Sequence, residues 1–157
     1  MVNRILKPRL LPRQRQAGRA KRPNPAAGGV PKALPSLIKA YRMVEKTSGI
    51  GFRWENPQQA FAKVAEECRE VEDELQKADS QQNTEEEVGD LFFALAAWAQ
   101  TMGINPDTAL EKANKKFESR FKEVERQAAE QGTPLSEMTT DQLVALWKNA
   151  KTNTQNH

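Results

Sequence analysis

Residues 63–90 read KVAEECREVEDELQKADSQQNTEEEVGD and contain two pairs of acidic residues at the same spacing. Glu67 and Glu70 form a Glu-x-x-Glu pair, and Glu87 and Asp90 form a Glu-x-x-Asp pair further along the chain. Residues three apart on a helix share a face, so each pair presents two carboxylates side by side. Four such groups repel one another unless a hard cation lies between them, most readily Mg²⁺. The stretch therefore predicts a metal site for phosphate chemistry on two consecutive helices.

Helical periodicity extends over most of the chain, and the helix boundaries carry recognisable signals. Asn56-Pro57 and Asn105-Pro106 are predicted helix starts, because Asn caps a helix and Pro suits its first position. Thr84 to Glu87 has the form of a capping box, which places a helix start at Thr84. The predicted fold is an all-α bundle of about four to five helices, at 35–49, 57–78, 84–102, 106–131 and from about 140.

The apolar residues of these helices predict which faces are buried. For the second, third and fourth helices the predicted apolar seams are Phe61, Val64, Cys68, Val71 and Leu75; Val88, Leu91, Phe92, Leu95, Ala99 and Met102; and Leu110, Ala113, Phe117, Phe121, Val124 and Ala128. At about 100° per residue, Glu67, Glu70 and Glu74 lie beside the first seam rather than opposite it. An acidic row in that position can be drawn into a crevice between helices. Gly89 costs about 1 kcal/mol in a helix and is compatible with close approach of a backbone or ligand.

Composition excludes several kinds of site. The 157 residues suit one domain with a core, and no apolar run reaches the roughly 20 residues of a membrane span, so we expect a cytoplasmic protein. The single cysteine, Cys68, excludes an intrachain disulfide and a cysteine-based zinc site. The single histidine is His157, which leaves carboxylates as the available general bases.

The basic charge is concentrated at the N-terminus. Residues 1–33 hold nine of the 24 basic residues, five prolines and no acidic residue, whereas all 21 acidic residues follow. Such a segment buries too little apolar surface to offset the entropy of ordering, so we expect a disordered arm at 1–33. It is either a solvated extension, a targeting leader or a contact for nucleic acid. The folded domain is predicted at 34–151, and a frayed polar tail at 152–157.

Two readings remain open on these residues alone. Lys116 and Arg120, one turn apart on the fourth helix, are either a solvated face or the basic partner that a metal-bound polyphosphate needs. Glu87, taken alone, is either a metal ligand or merely a residue that caps its helix. The pattern thus leaves Mg²⁺-dependent phosphoanhydride chemistry and a non-catalytic helical assembly module as competing interpretations.

A resemblance to a known family favours Mg²⁺-dependent phosphoanhydride chemistry. Residues 34–151 resemble the MazG nucleoside triphosphate pyrophosphohydrolases of the all-α NTP pyrophosphatase superfamily, in particular the C-terminal catalytic repeat of two-domain MazG proteins. The matching stretches are GFRWEN (51–56), KVAEECREVEDEL (63–75), EEEVGDLFFAL (85–95), KANKKFESRF (112–121) and LWKNAK (146–151).

The resemblance implies hydrolysis of NTPs or dNTPs to the monophosphate and pyrophosphate, in nucleotide-pool house-cleaning. It implies that Glu67, Glu70, Glu87 and Asp90 are catalytic and hold Mg²⁺, with Mn²⁺ as a possible substitute. The residues that it implies around the substrate are Lys116 and Arg120 at the phosphates, Trp147 and Lys151 near the base, and Lys63 and Glu86 as nucleotide or outer contacts. It further implies a homodimer or homotetramer.

Other functions fit the same residues. The nearest rivals are a dimeric dUTPase, a dCTPase and a phosphoribosyl-ATP pyrophosphatase of the same superfamily. From another class comes a non-catalytic oligomer that binds nucleic acid through its basic arm.

Overall fold

The structure is a computed structural model that describes residues 9–10, 29–77 and 81–155. Within these residues the chain forms five α-helices, which confirms the predicted all-α fold. They are α1 (Ser36–Gly49), α2 (Pro57–Leu75), α3 (Gln81–Thr101), α4 (Pro106–Glu130) and α5 (Thr140–Gln155). None of the described helices has the length and apolar character needed to cross a membrane. The chain divides into two compact units, residues 1–107 and 108–157.

The first unit contains α1, α2 and α3, and α3 packs against both other helices. Small residues make this packing close: Ala60 and Val64 on α2 and Ala94, Ala96, Ala97 and Ala99 on α3 are buried. Asn56 caps α2 as predicted, because its Oδ1 accepts a hydrogen bond from the Gln59 N–H at 2.9 Å. The alanine-lined contact therefore brings the acidic helices α2 and α3 side by side.

A short antiparallel ladder joins the N-terminal region to the link between α1 and α2. Strand β1 (Arg9–Leu10) pairs with β2 (Phe52–Arg53), with Arg9 opposite Arg53. Lys46 of α1 also donates a hydrogen bond to the Gly29 carbonyl. Most of the arm predicted to be disordered lies outside the described residues, but these two contacts involve parts of it.

The second unit is built from α4, a short 3-10 helix (Leu135–Glu137) and α5. Its core contains Val124, Ala128, Met138, Leu146 and Ala150. Gly132 ends α4 with a positive φ of 66°, a conformation that glycine adopts without strain. The helix α4 thus ends where the sequence predicts.

Three helix boundaries differ from the prediction. The helix α3 begins at Gln81, so Thr84 lies inside it and the predicted capping box is wrong. Glutamine is a good helix former, and the polar residues that precede Thr84 extend the helix instead of forming a loop. The helix α2 ends at Leu75, a few residues early, while α5 continues to Gln155 into the predicted tail. Residues 156–157 lie outside the described part.

The predicted apolar seam of α2 is only partly correct, because Val64 is buried but other members of the seam are not. Phe61 is 51% exposed and Leu75 is 67% exposed, and Cys68 is exposed too. The buried positions are Ala60, Val64, Glu67 and Glu74. The close α2–α3 contact accepts small side chains, so the acidic row turns inwards and the bulky residues turn outwards. The seams predicted for α3 and α4 are also only partly buried. On α3, Phe92, Leu95 and Met102 are exposed, whereas Ala99 is buried as predicted. On α4, Leu110, Phe117 and Phe121 are exposed, whereas Val124 and Ala128 are buried as predicted.

Glu74 is a buried carboxylate whose polar atoms are only half satisfied. Its Oε1 pairs with Lys77, whereas its Oε2 is buried without a hydrogen-bond partner. Such an atom costs about 1–3 kcal/mol, and the ion pair with the exposed Lys77 offsets at most about 1 kcal/mol. We expect Glu74→Met to stabilise the protein by about 1 kcal/mol, or about 3 °C in Tm. Thermal melts of this variant and of the exposed control Glu72→Met check this, and a lower Tm for Glu74→Met alone would contradict it.

Candidate metal centre

Three of the predicted carboxylates come together between α2 and α3. Glu67 and Glu70 from α2 and Glu87 from α3 each offer a carboxylate oxygen, and these three oxygens lie within 4.8 Å of one another. One turn of α2 separates the first two, and the α2–α3 packing supplies the third. We call Glu67, Glu70 and Glu87 the carboxylate group.

Glu67 is the most enclosed member of the carboxylate group. It is 4% exposed, and its Oε2 is buried with no hydrogen-bond partner. Burying an ionised oxygen without a partner is costly, so such atoms call for a cation, a proton donor or water. This oxygen belongs to a residue that can donate to a metal, and it therefore fits a cation ligand better than a structural role.

The electrostatics of Glu70 reflect the crowding of negative charge. Its pKa is raised, first by desolvation, then by the hydrogen bond and charge of Glu67, with a further contribution from Glu87. The charge of Lys63 acts in the opposite direction. Two like charges at short range disfavour ionisation of either group, which is the pattern that a bound divalent cation reverses.

Lys63 contacts the carboxylate group directly. It forms ion pairs with Glu67, one turn along α2, and with Glu66 Oε1 at 2.9 Å. Desolvation lowers the pKa of Lys63, but the hydrogen bonds and charges of Glu67 and Glu66 outweigh it, so the net shift is upward. Glu66 was not among the residues singled out from the sequence, although its spacing of three from Lys63 was a usable signal.

Asp90 is not part of the carboxylate group. It is exposed on α3, one turn after Glu87, and the close cluster of ligand atoms contains three residues rather than the predicted four. Glu86, the neighbour of Glu87, is also exposed. The helix α3 therefore brings Glu87, but not Asp90, into the cluster of close ligand atoms.

We expect Asp90→Asn to affect catalysis more than metal binding. Because Asp90 lies outside the carboxylate group, its loss should weaken metal binding less than the loss of Glu87, which offers an oxygen to the group. Titration of Mn²⁺ without nucleotide, for Asp90→Asn and Glu87→Gln side by side, measures this. An equal loss of affinity in the two variants would make Asp90 a full ligand.

Gly89 stands in open space on α3. Apart from its chain neighbours and the nearby backbone of α3 itself, a Cβ at this position meets no described atom within 4 Å. Within the described part of the chain, no other backbone approaches Gly89 closely.

The remaining candidate residues belong to the second unit. Trp147 of α5 is half-buried and packs against Phe117 of α4, with 5.2 Å between ring centroids and a tilt of 45°. It also packs against the Val124 to Ala150 core. Lys116 is exposed, Arg120 is half-buried one turn later on α4, and Lys151 is exposed on α5. Trp147 thus has a structural contact that its sequence position did not reveal.

The residues of the carboxylate group fit a hard divalent cation. Three carboxylates, one of them with an unpartnered buried oxygen, supply the donor set that Mg²⁺ or Mn²⁺ prefers. Mg²⁺ usually keeps water and substrate oxygens in its other positions, so three protein ligands suffice.

Comparisons with known proteins agree with this geometry. Residues 55–125 match the MazG nucleotide pyrophosphohydrolase domain. Over 85% of its length the chain is 32% identical to a Thermotoga maritima protein named nucleoside triphosphate pyrophosphohydrolase/pyrophosphatase MazG, of which it covers 51%. It is 36% identical, over 80% of its length, to the Escherichia coli nucleoside triphosphate pyrophosphohydrolase, of which it covers 48%.

A third relative is the uncharacterized protein YabN of Bacillus subtilis, 38% identical over 78% of this chain and 25% of that protein. The chain spans about half the length of the first two relatives. The matched residues 55–125 contain α2, α3, the whole carboxylate group and most of α4. Residues 55–125 of the chain are therefore identified as a MazG nucleotide pyrophosphohydrolase domain.

Proposed function

We propose that the protein is a Mg²⁺-dependent nucleoside triphosphate pyrophosphohydrolase, which converts NTPs or dNTPs to the monophosphate and pyrophosphate. The observation that carries the proposal is the carboxylate group, with the unpartnered Oε2 of Glu67, in a segment that matches the MazG domain. The names of the relatives from Thermotoga maritima and Escherichia coli support the reaction. A role in removing unwanted nucleotides from the pool follows from this activity.

The reaction needs a water molecule, an activated phosphorus and a stabilised leaving group. Glu67, Glu70 and Glu87 would hold the divalent cation, which supplies Lewis-acid polarisation of a phosphoryl oxygen. The water oxygen bonds to the α-phosphorus, the bond from that phosphorus to the bridging oxygen breaks, and pyrophosphate leaves. Because the sequence has a single histidine at its C-terminus, a carboxylate is the group that accepts the proton of the water.

Residues of the second unit are proposed to bind the nucleotide. Lys116 and Arg120 lie one turn apart on α4, a spacing at which both cations can meet phosphate oxygens. Trp147 has the flat apolar face that stacks on a base, and Lys151 lies one turn further along α5. Asp90 and Glu86 are proposed at the margin of the metal site.

We further propose that the protein is a homodimer or homotetramer. Large apolar side chains are exposed on several described helices, among them Phe61, Phe92 and Phe117 at 51%, 60% and 58%. Burial of such side chains in a second copy would remove apolar area from water at roughly 25 cal/mol per Å². Sedimentation velocity at micromolar concentration tests this, and a monomer throughout would refute it.

Pyrophosphate release from the eight common NTPs and dNTPs, with Mg²⁺ and with EDTA, tests the activity. The expected result is metal-dependent release of monophosphate and pyrophosphate from at least one nucleotide. Turnover of phosphoribosyl-ATP, dUTP or dCTP alone would assign one of the related superfamily activities. Absence of any turnover, together with salt-sensitive nucleic-acid binding that is lost on deletion of residues 1–33, would favour the non-catalytic interpretation.

A further inference from the structure

We propose that Lys63 is the internal counter-ion of the carboxylate group, and that its ion pair with Glu67 and the binding of a divalent cation oppose each other. The inference rests on the proposed metal-dependent function and concerns what sets the metal affinity. It assigns to Lys63 a role towards the metal ligands in addition to any contact with nucleotide.

The first support is the position of the Lys63 ammonium group. It bonds to Oε1 of Glu67 and to Oε1 of Glu66, the latter at 2.9 Å. The Lys63 side chain is 32% exposed, whereas that of Glu67 is 5% exposed. The positive charge therefore enters the site from its solvent side and neutralises the most buried of the three carboxylates.

The second support is the closeness of Lys63 to the whole carboxylate group. Its partner Glu67 offers an oxygen that lies within 4.8 Å of oxygens of Glu70 and Glu87. Lys77 is bonded to Glu74, which is not a member of the group. Lys63 is thus a cation bonded to a proposed ligand, whereas Lys77 is bonded elsewhere.

The third support is the arrangement of the two Glu67 oxygens. Oε1 is engaged by Lys63, and the buried Oε2 has no partner. A cation that binds at Oε2 would stand a few ångströms from the ammonium group, and one that binds at both oxygens would displace it. In either case the two positive charges oppose each other, because each weakens the attraction of the carboxylate for the other.

The antagonism is reciprocal. If the Lys63 charge weakens metal binding, then metal binding must weaken the Lys63–Glu67 ion pair by the same factor. The ammonium group is then released at the moment when the site gains a cation. Lys63 would then keep its ion pair with Glu66 and could also meet a triphosphate bound to the cation. Lys63 would thus pair with Glu67 in the metal-free state and with a phosphate in the substrate-bound state.

Measurement of the Mn²⁺ Kd by isothermal titration, on the full chain without nucleotide, tests the proposal. Lys63→Met should bind Mn²⁺ more tightly, by a factor on the order of ten, because a unit charge near a divalent cation is removed. Lys63→Arg keeps the charge and should bind like the wild type. The matched control is Lys122→Met, which breaks the exposed pair between Lys122 and Glu118 at the same spacing of four and should change nothing.

A second measurement distinguishes charge from damage to the fold. The metal-free Lys63→Met variant should have a lower Tm than the wild type, because three carboxylates lose their counter-ion, and saturating Mg²⁺ should abolish this difference. Lys63→Gln provides the same comparison with a shorter side chain. Tighter binding cannot come from a misfolded protein, which would bind less.

The outcomes separate this inference from the proposed function. A wild type that binds Mn²⁺, with an unchanged or weaker Kd in Lys63→Met, would overturn the counter-ion role and leave the metal site standing. A wild type that binds no Mn²⁺ would overturn the metal-dependent function and the inference with it.

Discussion

Glu70→Gln is expected to lower the rate of nucleotide hydrolysis by at least about 100-fold and, at the same time, to raise the Tm of the metal-free protein. The loss of activity follows because an amide is a poorer ligand for a hard cation than a carboxylate. The gain in stability follows because desolvation and the charges of Glu67 and Glu87 disfavour the ionised Glu70 in the folded state.

The contribution of Glu70 to the stability of the folded protein depends on pH with a definite sign. Because the folded-state pKa of Glu70 is raised, the unfolded chain loses its proton first as pH rises, and the stability contributed by this residue falls between the two pKa values. The penalty is fully present above the folded-state pKa and absent below the unfolded-state value. Glu70→Gln should therefore stabilise the metal-free protein at neutral pH and leave its stability unchanged in acid.

Melts with Mg²⁺ and with EDTA, alongside the hydrolysis assay, measure both effects. In the wild type Mg²⁺ should raise the Tm, whereas in Glu70→Gln it should raise it little. Glu72→Gln, at an exposed position of α2, is the control and should behave like the wild type. Normal turnover in Glu70→Gln would remove this residue from the metal site.

Trp147→Ala is expected to destabilise the second unit by about 2 kcal/mol and to raise the KM for nucleotide. Removal of a fully buried tryptophan costs about 3–5 kcal/mol, and Trp147 is only half-buried, although it contacts Phe117 and the Val124 to Ala150 core. Urea unfolding followed by circular dichroism measures the stability. Val144→Ala, at a 43% exposed position on the same helix, should cost much less.

Trp147→Phe separates packing from nucleotide binding. Phenylalanine can keep an aromatic contact with Phe117, so most of the stability should remain, while the smaller ring face should weaken stacking on a base. A several-fold higher KM in a variant of near-normal stability would support the base contact. An unchanged KM would show that Trp147 acts in packing alone.

The sequence predicts the helices well where local chemistry decides them. Asn56 caps α2, Pro106 begins α4, and Gly132 ends it, because each of these residues has a conformational preference that needs no tertiary contact. The start of α3 is missed since a capping box at Thr84 is only one of several permitted starts, and Gln81 to Asn83 are compatible with a helix.

The rotation of the helices is not predicted, because it depends on the partner that each helix meets. Phe61, Val64 and Leu75 belong to one predicted seam, yet of these three only Val64 is buried. The buried residues of α3 are alanines, and on α2 the small Ala60 is buried beside Val64. Glu67 follows them into the interior at a spacing of three from Val64. The acidic row that looked like a margin of the seam is therefore part of the buried face.

The sequence predicts which carboxylates can meet between α2 and α3, but not how their charges are paired. Spacing alone places Glu67, Glu70 and Glu87 on helices that can meet, and the structure brings these three together. Whether Asp90 joins them depends on the rotation of α3 against α2, which is a tertiary outcome. The pair of Lys63 with Glu66 lies within α2, and its spacing of three makes it possible without requiring it.

The open space at Gly89 indicates that a larger residue could replace the glycine without a clash inside one copy of the chain. Alanine fits there within one chain and favours a helix by about 1 kcal/mol, so a more stable α3 is a single substitution away. If Gly89→Ala is harmless, the helix that carries Glu87 and Asp90 has a margin for engineering. If Gly89→Ala instead lowers activity or assembly, we infer that a second copy of the chain or the substrate occupies this space. Gly89 would then mark the position of that contact.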